Sequence, residues 1–324
     1  MINVQEINKA AELLAQGDVV GLPTETVYGL AASIVSEKGI KKIFSVKERP
    51  FFDPLIVHVA TSEQLDSVIA EKNEALDCLT KSFWPGPLTF VVPKNEKLNS
   101  LITSGLTTVG VRMPDHPVAL KLIEKAGPLA APSANKFGKT SPTTAAHVRQ
   151  EFSNVLVLEG GSSQVGIEST ILGITKSKEG FDLILHRPGV TTLAQIERAL
   201  KAWDLKYRWL ERDSKEVETP GQVKHHYMPK VPLIVVDEKY RMSDLHQLIQ
   251  KKIEGKFNRI QELDLPHEGH LAARLLYAEL RKQAESGADA LVYYYNPIRF
   301  VSDEWKGIAD RLTRAATLIL DWNV

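Results

Sequence analysis

Pro23-Thr24-Glu25-Thr26-Val27-Tyr28-Gly29-Leu30 is the most informative stretch of this chain. It follows an apolar run, residues 19–22, which predicts a buried strand that the proline ends. A turn that only reversed the chain would use Asn-Gly or Pro-Asp-Gly. Two threonines and a glutamate at the end of a strand indicate a small polar site instead, because open α/β sheets bind ligands at that edge.

The next candidate residues lie at the end of a predicted helix. Residues 36–46 have helical periodicity, and Lys47 and Arg49 follow at the helix exit. Cations at a helix C-terminus are favourable by themselves, so a structural role stays open for both. His58 lies in a predicted strand of β-branched residues, where a lone histidine is more often a core group than a ligand.

A third polar segment follows the apolar residues 129–131. Ser133-Ala134-Asn135 and a loop with Gly138 precede a helix predicted to begin around Pro142. Small side chains let the backbone approach a ligand closely, and a helix start favours phosphate. Gly138-Lys139-Thr140 does not complete a P-loop, because that motif needs glycine where Ser133 stands. Phosphate binding by another geometry is therefore predicted.

Composition limits the class of protein. The 324 residues suggest two domains, and 40 basic side chains balance 40 acidic ones, so no global positive field attracts nucleic acid. Cys78 is the single cysteine, which excludes a disulfide within the chain. No signal peptide or membrane-spanning run is recognisable, and we expect a cytoplasmic protein without membrane contact.

The order of predicted elements indicates a mixed α/β sheet followed by a smaller α/β unit. Helices alternate with strands through residue 151, but three strands near 155–158, 169–174 and 182–186 have no helix between them. The predicted helices lie near 4–16, 36–46, 62–70, 73–83, 116–126, 142–151 and 192–203. The other predicted strands lie near 18–22, 55–59, 88–92, 107–112 and 128–131.

We predict a catalytic domain over residues 1–205, a linker over 206–230 and a small domain over 231–324. Periodicity disappears in the linker, which nevertheless contains His225-His226-Tyr227-Met228-Pro229, an unusual composition for a flexible tether. The last segment has strands near 232–236 and 290–295 and helices near 242–254 and 268–285, without a glycine-rich nucleotide fingerprint.

Two other chemistries are poorly supported by the sequence. His267 and His270 are three residues apart, whereas the helical zinc motif needs four, so no metal site formed by protein side chains is predicted. Gly160-Gly161-Ser162-Ser163-Gln164 lacks the closing glycine of a nucleophile elbow, and Cys78 lies on an apolar helix face. We therefore predict neither a hydrolase nor a cysteine nucleophile.

Taken in order, the motifs resemble the YrdC-like family over roughly residues 3–203. The resemblance rests on the stretch at 23–30, the Lys-x-Arg-Pro loop, the Pro-Leu-Ile-Val-His strand at 54–58 and the Ser-x-Asn element. It also rests on Trp84-Pro85-Gly86-Pro87-Leu88-Thr89, Val109-Gly110-Val111-Arg112-Met113-Pro114 and Glu168-Ser169-Thr170-Ile171. The distinctive linker and the further hundred or so residues resemble the long two-domain members. The resemblance implies a twisted mixed sheet with a concave active-site face and a small C-terminal Rossmann-like domain.

The resemblance also implies an enzymatic activity. Family members of this form act as nucleotidyltransferases that condense L-threonine, bicarbonate and ATP into threonylcarbamoyl-AMP and pyrophosphate, for the modification of an adenosine in tRNA. ATP would enter with Mg²⁺, no prosthetic group is expected, and other proteins would transfer the product, so tRNA would be contacted only indirectly or weakly. The alternative is a YrdC-like module that binds RNA or a nucleotide without turnover.

Residue by residue, the family pattern assigns two groups of side chains. Those around L-threonine would be Thr26, His58, Arg112, Ala131 and Ser169. Those for ATP and bicarbonate would be Lys47, Arg49, Asp53, Thr108, Ser133, Asn135, Ser141, Arg187 and Tyr227, with Lys47, Arg49, Ser133 and Asn135 closest to the chemistry. Many relatives have asparagine or lysine at position 53, so Asp53 would repel phosphate unless it orients Lys47 or Arg49 or helps to hold Mg²⁺.

Overall fold

The computed structural model describes residues 3–211, 219–220, 226–255 and 257–320, and in these ranges it forms two β-sheets. The strands of the larger sheet are β1 (Val20–Leu22), β2 (Gly29–Ser33), β3 (Ile56–His58), β4 (Leu88–Pro93), β5 (Thr108–Arg112), β6 (Leu129–Ala130), β7 (Leu156–Val157), β8 (Thr170–Ser177), β9 (Gly180–Arg187) and β10 (Tyr207–Leu210). Those of the smaller sheet are β11 (Leu233–Asp237), β12 (Ile260–Glu262), β13 (Ala290–Tyr295) and β14 (Leu318–Leu320).

Helices flank both sheets. Those of the first unit are α1 (Val4–Ala15), α2 (Glu37–Lys47), α3 (Ser62–Val68), α4 (Glu74–Phe83), α5 (Ser100–Thr103), α6 (Pro117–Ala126), α7 (Ala145–Glu151) and α8 (Leu193–Ala202). Those of the second unit are α9 (Met242–Lys252), α10 (Gly269–Glu285), α11 (Pro297–Phe300) and α12 (Lys306–Ala315). None of the helices in the described ranges has the length and apolar character needed to cross a bilayer.

The larger sheet is mixed, as predicted, with the strand order β10-β9-β8-β4-β5-β3-β6-β2-β1-β7. For example, β1 pairs antiparallel with β2 and parallel with β7. Residues 23–28, the polar part of the stretch quoted first, thus connect the antiparallel strands β1 and β2. Thr24 shapes it, because its Oγ1 accepts the backbone N–H groups of Thr26 and Val27 and donates to the Val27 carbonyl at 2.6 Å.

Apolar side chains cover both faces of the larger sheet. On one face, Tyr28, Phe44 and Phe90 are fully buried in the largest hydrophobic cluster. On the other face, Leu14 of α1 and Leu122 of α6 pack in a separate cluster with β1, β2 and β6. Strands buried on both faces hold their backbone rigidly, so the polar loops at their ends have a fixed scaffold.

The exit of α2 places two predicted site residues. Ser36 caps the helix through a hydrogen bond from the Gly39 N–H, and Glu48 ends it in the left-handed region at a φ of 54°. This reversal lets the Arg49 N–H bond the Phe44 carbonyl at 2.9 Å. The side chains of Lys47 and Arg49 are directed into buried surroundings as a result, with 1% and 6% of their surface exposed.

The second unit is a four-stranded parallel sheet in the order β12-β13-β11-β14, with helices on both faces. Helices α10 and α12 pack against one face through Leu276 and Leu312, and α9 packs against the other through Leu245 and Ile249. This agrees with the expected small C-terminal α/β domain. The division at residues 205 and 230 remains a prediction.

Several elements differ from the sequence-based expectation. Strand β2 was not predicted because Gly-Leu-Ala-Ala-Ser lacks β-branched residues, and β10 was not predicted because the linker was expected to begin at residue 206. Strand β10 pairs in parallel with β9 and therefore extends the larger sheet. Helix α7 begins at Ala145, capped by Thr144, rather than around Pro142. The elements α5, α11, α12, β12 and β14 were also missed, most of them being only a few residues long.

Candidate active site

A cavity lies where the loops at the ends of β1, β3, β5, β6 and β9 converge, and its empty space, with the open mouth included, is about 540 Å³. Nine of the residues predicted for the site line it: Thr26, Arg49, His58, Arg112, Ala131, Ser133, Ser169, Arg187 and Tyr227. The other five, Lys47, Asp53, Thr108, Asn135 and Ser141, are not among the described residues of its wall. Those five are placed by contacts of their own, given below.

One end of the cavity is organised around Arg112. Its Nη1 donates to Thr26 Oγ1 at 2.8 Å and lies 3.4 Å from Glu25 Oε1, while its Nη2 is 3.2 Å from His58 Nε2. Burial and the adjacent Arg112 lower the pKa of His58 well below its ordinary value, so the imidazole is neutral and presents an uncharged nitrogen. The end of the cavity therefore carries one guanidinium cation, in a fork geometry suited to a carboxylate.

Glu25 is a site residue to which sequence analysis gave no role. Besides its ion pair with Arg112, its Oε2 accepts the Asp115 N–H at 3.1 Å, and only 6% of its surface is exposed. Glu25 thereby fixes the position of Arg112 in the cavity wall. In the sequence, its place within the quoted Pro-Thr-Glu-Thr stretch was the feature that could have pointed to this role.

A second group of cations lies at the exit of α2. Arg49 donates to the carbonyls of Asp53 and Pro54 and lies 2.9 Å from Asp53 Oδ2. Burial raises the pKa of Asp53, against the opposing effect of Arg49 and Lys47. Asp53 thus stands beside Arg49 as an ion-pair partner, one of the two roles that the sequence left open. Its Oδ1 has no hydrogen bond within the described residues.

Lys47 holds the Ser-x-Asn loop, residues 133–135, through its side chain. Its Nζ donates to the backbone carbonyls of Ser133, at 2.5 Å, and of Asn135. Burial, followed by the neighbouring Arg49, lowers the pKa of Lys47 well below its ordinary value. The side-chain amide of Asn135 in turn donates to the carbonyls of Lys136 and Lys139. These contacts shape the loop whose Ser133 lines the cavity.

Arg187 and Ser169 form the opposite wall. Arg187 donates to the Ser169 carbonyl and hydroxyl, and its Nη1 donates to the Pro220 carbonyl at 3.3 Å. Ser169 Oγ also lies 2.6 Å from Thr89 Oγ1. Arg187 therefore joins the sheet to the described part of the linker.

Thr108 lies in a smaller adjoining cavity of about 270 Å³. Thr103, Gly110 and Thr219 contribute to the same wall, and Ile56 and Pro220 line both cavities. Thr108 therefore does not line the main cavity, but the space that it lines adjoins that cavity.

Tyr227 closes the main cavity from the linker side. It is 1% exposed, stacks on Tyr277 with ring centroids 5.8 Å apart, and packs edge-on against His226. Burial, with a contribution from Glu168, raises the pKa of Tyr227 to about 12, so the phenol stays protonated. Its hydroxyl has no hydrogen bond within the described residues. His225, part of the same predicted linker motif, lies outside those residues.

Glu168 is the second site residue to which no role was given. Its carboxylate accepts Ser141 Oγ at 2.5 Å, Tyr277 Oη at 2.8 Å and Arg311 Nε at 3.0 Å. Ser141 donates its hydroxyl to Glu168, and its predicted contact with ATP remains a prediction. The sequence offered only the quoted Glu-Ser-Thr-Ile motif as a signal, since Tyr277 and Arg311 are more than a hundred residues away in the chain.

Glu168 makes the stability of the chain depend on pH. Burial alone would raise the pKa of Glu168, but Arg311, Arg187 and the hydrogen bond from Ser141 lower it to about 2. Because this value lies below the ordinary 4.5, the carboxylate stabilises the fold above about pH 4.5, and that stabilisation is lost as the pH falls towards 2. Glu168→Gln should lower the free energy of unfolding by roughly 3 kcal/mol near pH 7 and by less at lower pH. Urea unfolding near pH 7, 4 and 3 measures this difference, and a pH-independent difference would contradict it.

The described residues contain no cluster of three or more His, Cys, Asp or Glu side chains suited to a metal ion. Arg49, Arg112 and Arg187 line the cavity, where Asp53 pairs with Arg49, Glu25 pairs with Arg112, and Glu168 is bonded to Arg311. Burial lowers the pKa of His58 and of His226, so both imidazoles are neutral. Among the described residues no carboxylate forms an ion pair with Arg187, so the cavity keeps a cationic group for a ligand. Anionic ligands are the class that it suits.

Comparison with known proteins identifies the family. A family profile for the Sua5, YciO and YrdC proteins, described as "Telomere recombination", matches residues 12–188. Threonylcarbamoyl-AMP synthase of Pyrococcus abyssi is 38% identical over 314 residues, which cover 90% of this chain and 91% of the relative. The chain belongs to the Sua5/YciO/YrdC family.

Within the Sua5/YciO/YrdC family, the similarity extends over both units. The profile "Threonylcarbamoyl-AMP synthase, C-terminal domain" matches residues 191–317. Threonylcarbamoyl-AMP synthase of Bacillus subtilis is 41% identical over 257 residues, covering 78% of this chain and 72% of the relative. The crystal structure of P. abyssi Sua5 complexed with L-threonine superposes with a TM-score of 0.84 at 34% identity, over 99% of this chain and 98% of that one. The resemblance to the long two-domain members is therefore confirmed.

Proposed function

We propose that this chain condenses L-threonine, bicarbonate and ATP into threonylcarbamoyl-AMP, releasing pyrophosphate. The observation that carries the proposal is the convergence of Arg49, Arg112 and Arg187 on one cavity, each with 6% or less of its surface exposed. Asp53 and Glu25 already pair with Arg49 and Arg112, and the carboxylate, bicarbonate and triphosphate of the substrates would be further anionic partners for the three guanidinium groups. The P. abyssi relative, which is similar over 90% of this chain, carries the name of this activity.

L-threonine is assigned to the end of the cavity formed by Thr26, His58 and Arg112. The Arg112 guanidinium would hold the carboxylate with both nitrogens, while neutral His58 and the Thr26 hydroxyl offer uncharged hydrogen-bonding groups. The structurally similar P. abyssi protein is the one crystallised with L-threonine. Ala131 and Ser169 line the same cavity and complete this assignment.

ATP is assigned to the opposite side, with its phosphates near Arg49, Arg187 and Ser133. The adjoining space beside Thr108 extends the cavity and would take another part of the nucleotide. Mg²⁺ would enter with the ATP phosphates as part of the substrate, and no protein ligand is assigned to it. Lys47 and Asn135 act on this side by holding the Ser133 loop in place.

The reaction then needs positioning and charge neutralisation. The amine nitrogen of threonine forms a bond to the bicarbonate carbon, with loss of water, and gives a carbamate. A carbamate oxygen attacks the α-phosphorus of ATP, the bond from that phosphorus to the bridging oxygen breaks, and pyrophosphate leaves. Such phosphoryl chemistry depends on electrostatic stabilisation more than on covalent help from the protein. Other proteins would transfer the threonylcarbamoyl group to tRNA.

Product identity tests the proposal. The purified full-length chain is incubated with L-threonine, ATP, Mg²⁺ and ¹³C-labelled bicarbonate, and the products are resolved by mass spectrometry. We expect an adenylate that contains threonine and one labelled carbon. Formation of AMP or ADP alone, with no labelled adenylate even at early times, would contradict the proposal.

Tyr227 should protect the product as well as hold ATP. Tyr227→Ala opens the wall of the cavity, so we expect about tenfold weaker ATP binding from lost ring and hydroxyl contacts. Faster hydrolysis of the mixed anhydride should follow because water enters. Tyr227→Phe is the matched control, since it keeps the wall and loses only the hydroxyl. Calorimetry and the product half-life report the two effects. A Tyr227→Ala chain with wild-type values of both would leave the tyrosine without this role.

A further inference from the structure

The side chain of Glu168 belongs to the first unit but is held mainly by the second. Its Oε2 accepts Tyr277 Oη of α10 at 2.8 Å and Arg311 Nε of α12 at 3.0 Å. Arg311 has no exposed surface and also donates to the carbonyls of Glu168 and Pro188, at 3.2 and 2.6 Å. A buried ion pair with this many hydrogen bonds joins the two units at one point.

The backbones also approach closely on either side of this point. Gly166 has a φ of +81°, and a Cβ there would lie 2.4 Å from Arg274 Cα of α10. A Cβ on Gly307 of α12 would lie 3.1 Å from Gly189 Cα. Only glycine allows such contacts, so the segment around Glu168 is seated directly on α10 and α12.

Tyr227 rests on the same two side chains. Its ring stacks on Tyr277 at an interplanar angle of 29°, and the Arg311 guanidinium carbon lies 5.4 Å from its centroid. With Val27 and Ile167, Tyr227 belongs to the hydrophobic cluster of the second unit. The linker residue that closes the cavity is thus supported by C-terminal groups that Glu168 orients.

The backbone of Tyr227 is strained. Its φ of 68° is unusual for a residue with a side chain and costs on the order of 1 kcal/mol. Such a conformation persists only where the surroundings impose it. Two hydrogen bonds fix the next residue, from the Met228 N–H to Gly138 at 2.8 Å and from the Thr140 N–H to Met228 at 3.1 Å. Thr140 Oγ1 also donates to the Tyr227 carbonyl at 3.1 Å, and the ring contacts with His226, Tyr277 and Arg311 add to these bonds.

We propose that Glu168, Tyr277 and Arg311 form an interdomain clamp that positions Tyr227 at the cavity, so that the C-terminal unit takes part in nucleotide binding without touching the substrates. The clamp residues are positioning residues, since they act through Tyr227. The effect on ATP rests on the proposed function, whereas the effect on the position of Tyr227 does not.

Arg311→Lys is the first test, because it keeps the charge and loses the planar guanidinium that bonds Glu168 and covers the Tyr227 ring. Arg208→Lys is the control: it is the same substitution at an exposed arginine that bonds Asp182 in the first unit and none of the clamp residues. Arg314 does not serve, because its partner Asp310 also bonds Arg311. Hydrogen exchange of the Met228 amide, followed without substrate, reports on the clamp itself. We expect about tenfold faster exchange in Arg311→Lys and no change in Arg208→Lys.

ATP binding then shows whether the clamp acts through Tyr227. Calorimetry on the full chain should give about tenfold weaker ATP affinity for Arg311→Lys, but less than about twofold further loss when the same change is made in Tyr227→Ala. Tyr277→Phe, which keeps the stacked ring and loses one hydrogen bond, should give a loss of about threefold and serves if Arg311→Lys does not fold.

The outcomes separate the clamp from the proposed function. Wild-type Met228 exchange in a folded Arg311→Lys or Tyr277→Phe chain overturns the clamp. Faster exchange with unchanged ATP affinity, or an equal loss of affinity with and without Tyr227, overturns its role in nucleotide binding. A wild-type chain that binds no ATP contradicts the proposed function, and the exchange measurement still decides whether the clamp exists.

Discussion

Replacing Arg112 with alanine is expected to weaken L-threonine binding by roughly 2–5 kcal/mol, the usual cost of removing one partner of a buried charge pair. Arg112 is 4% exposed, and its guanidinium is the cationic group beside Thr26 and His58. With the arginine removed, the threonine carboxylate would enter a desolvated pocket without a counter-charge. Calorimetry with L-threonine on the folded variant measures the loss. Unchanged affinity would remove Arg112 from the threonine site.

Two controls separate a direct contact from collapse of the pocket. Arg112→Ala leaves Glu25 without its ion pair, so the double variant with Glu25→Gln removes that second effect, and the loss of affinity should persist in it. L-threoninamide, which lacks the carboxylate, should bind the wild-type chain weakly. It should bind Arg112→Ala as well as L-threonine does, because the group that distinguishes the two ligands has gone.

Replacing Arg49 with alanine should lower the rate of pyrophosphate release by about 10²–10³, as expected for the loss of one preorganised electrostatic group. Arg49 lines the cavity, whereas Lys47 is bonded to the loop of Ser133 and Asn135. The rate loss in Arg49→Ala should therefore appear mainly in kcat. Lys47→Ala should reduce turnover as well, through the position of Ser133.

The control for Arg49 concerns Asp53, which has no exposed surface and lies 2.9 Å from the guanidinium. Arg49→Ala would leave a buried carboxylate unpaired and so destabilise the fold. Combining it with Asp53→Asn removes that charge, and the thermal midpoint should recover while the rate stays low. Recovery of both the stability and the rate would assign to Arg49 a structural role only.

Most residues that line the cavity could be predicted because they belong to short local sequence motifs. The stretch at 23–30, the exit of α2 and the Ser-x-Asn loop each bring their polar groups to the ends of buried strands. Nine of the predicted residues face one cavity as a result. Whether they bind the substrates assigned to them remains a prediction.

The groups behind the cavity could not be assigned in the same way. Glu25 and Glu168 stand in quoted motifs, but their roles depend on Arg112, Tyr277 and Arg311, which only the folded chain brings together. Likewise Lys47 and Ser141 were assigned to ATP, and their present partners are the Ser133 loop and Glu168. Long-range pairing of this kind leaves no periodic signal in a sequence.

The larger sheet was predicted in type but not in all its strands. Strand β2 is Gly-Leu-Ala-Ala-Ser, whose small residues suit close packing between neighbours and carry little strand propensity. Strand β10 is a half-exposed edge strand next to a charged segment, so its sequence does not distinguish it from the predicted linker. Both are stabilised by their partners in the sheet rather than by local preference.

Whether pyrophosphate release from ATP requires both other substrates decides the proposed activity. The full-length chain, in buffer degassed to remove dissolved CO₂, is assayed with MgATP alone, with L-threonine added, with bicarbonate added, and with both. We predict release only when L-threonine and bicarbonate are present together, because the carbamate they form is the nucleophile. Release at the same rate without either one would contradict the proposed synthesis.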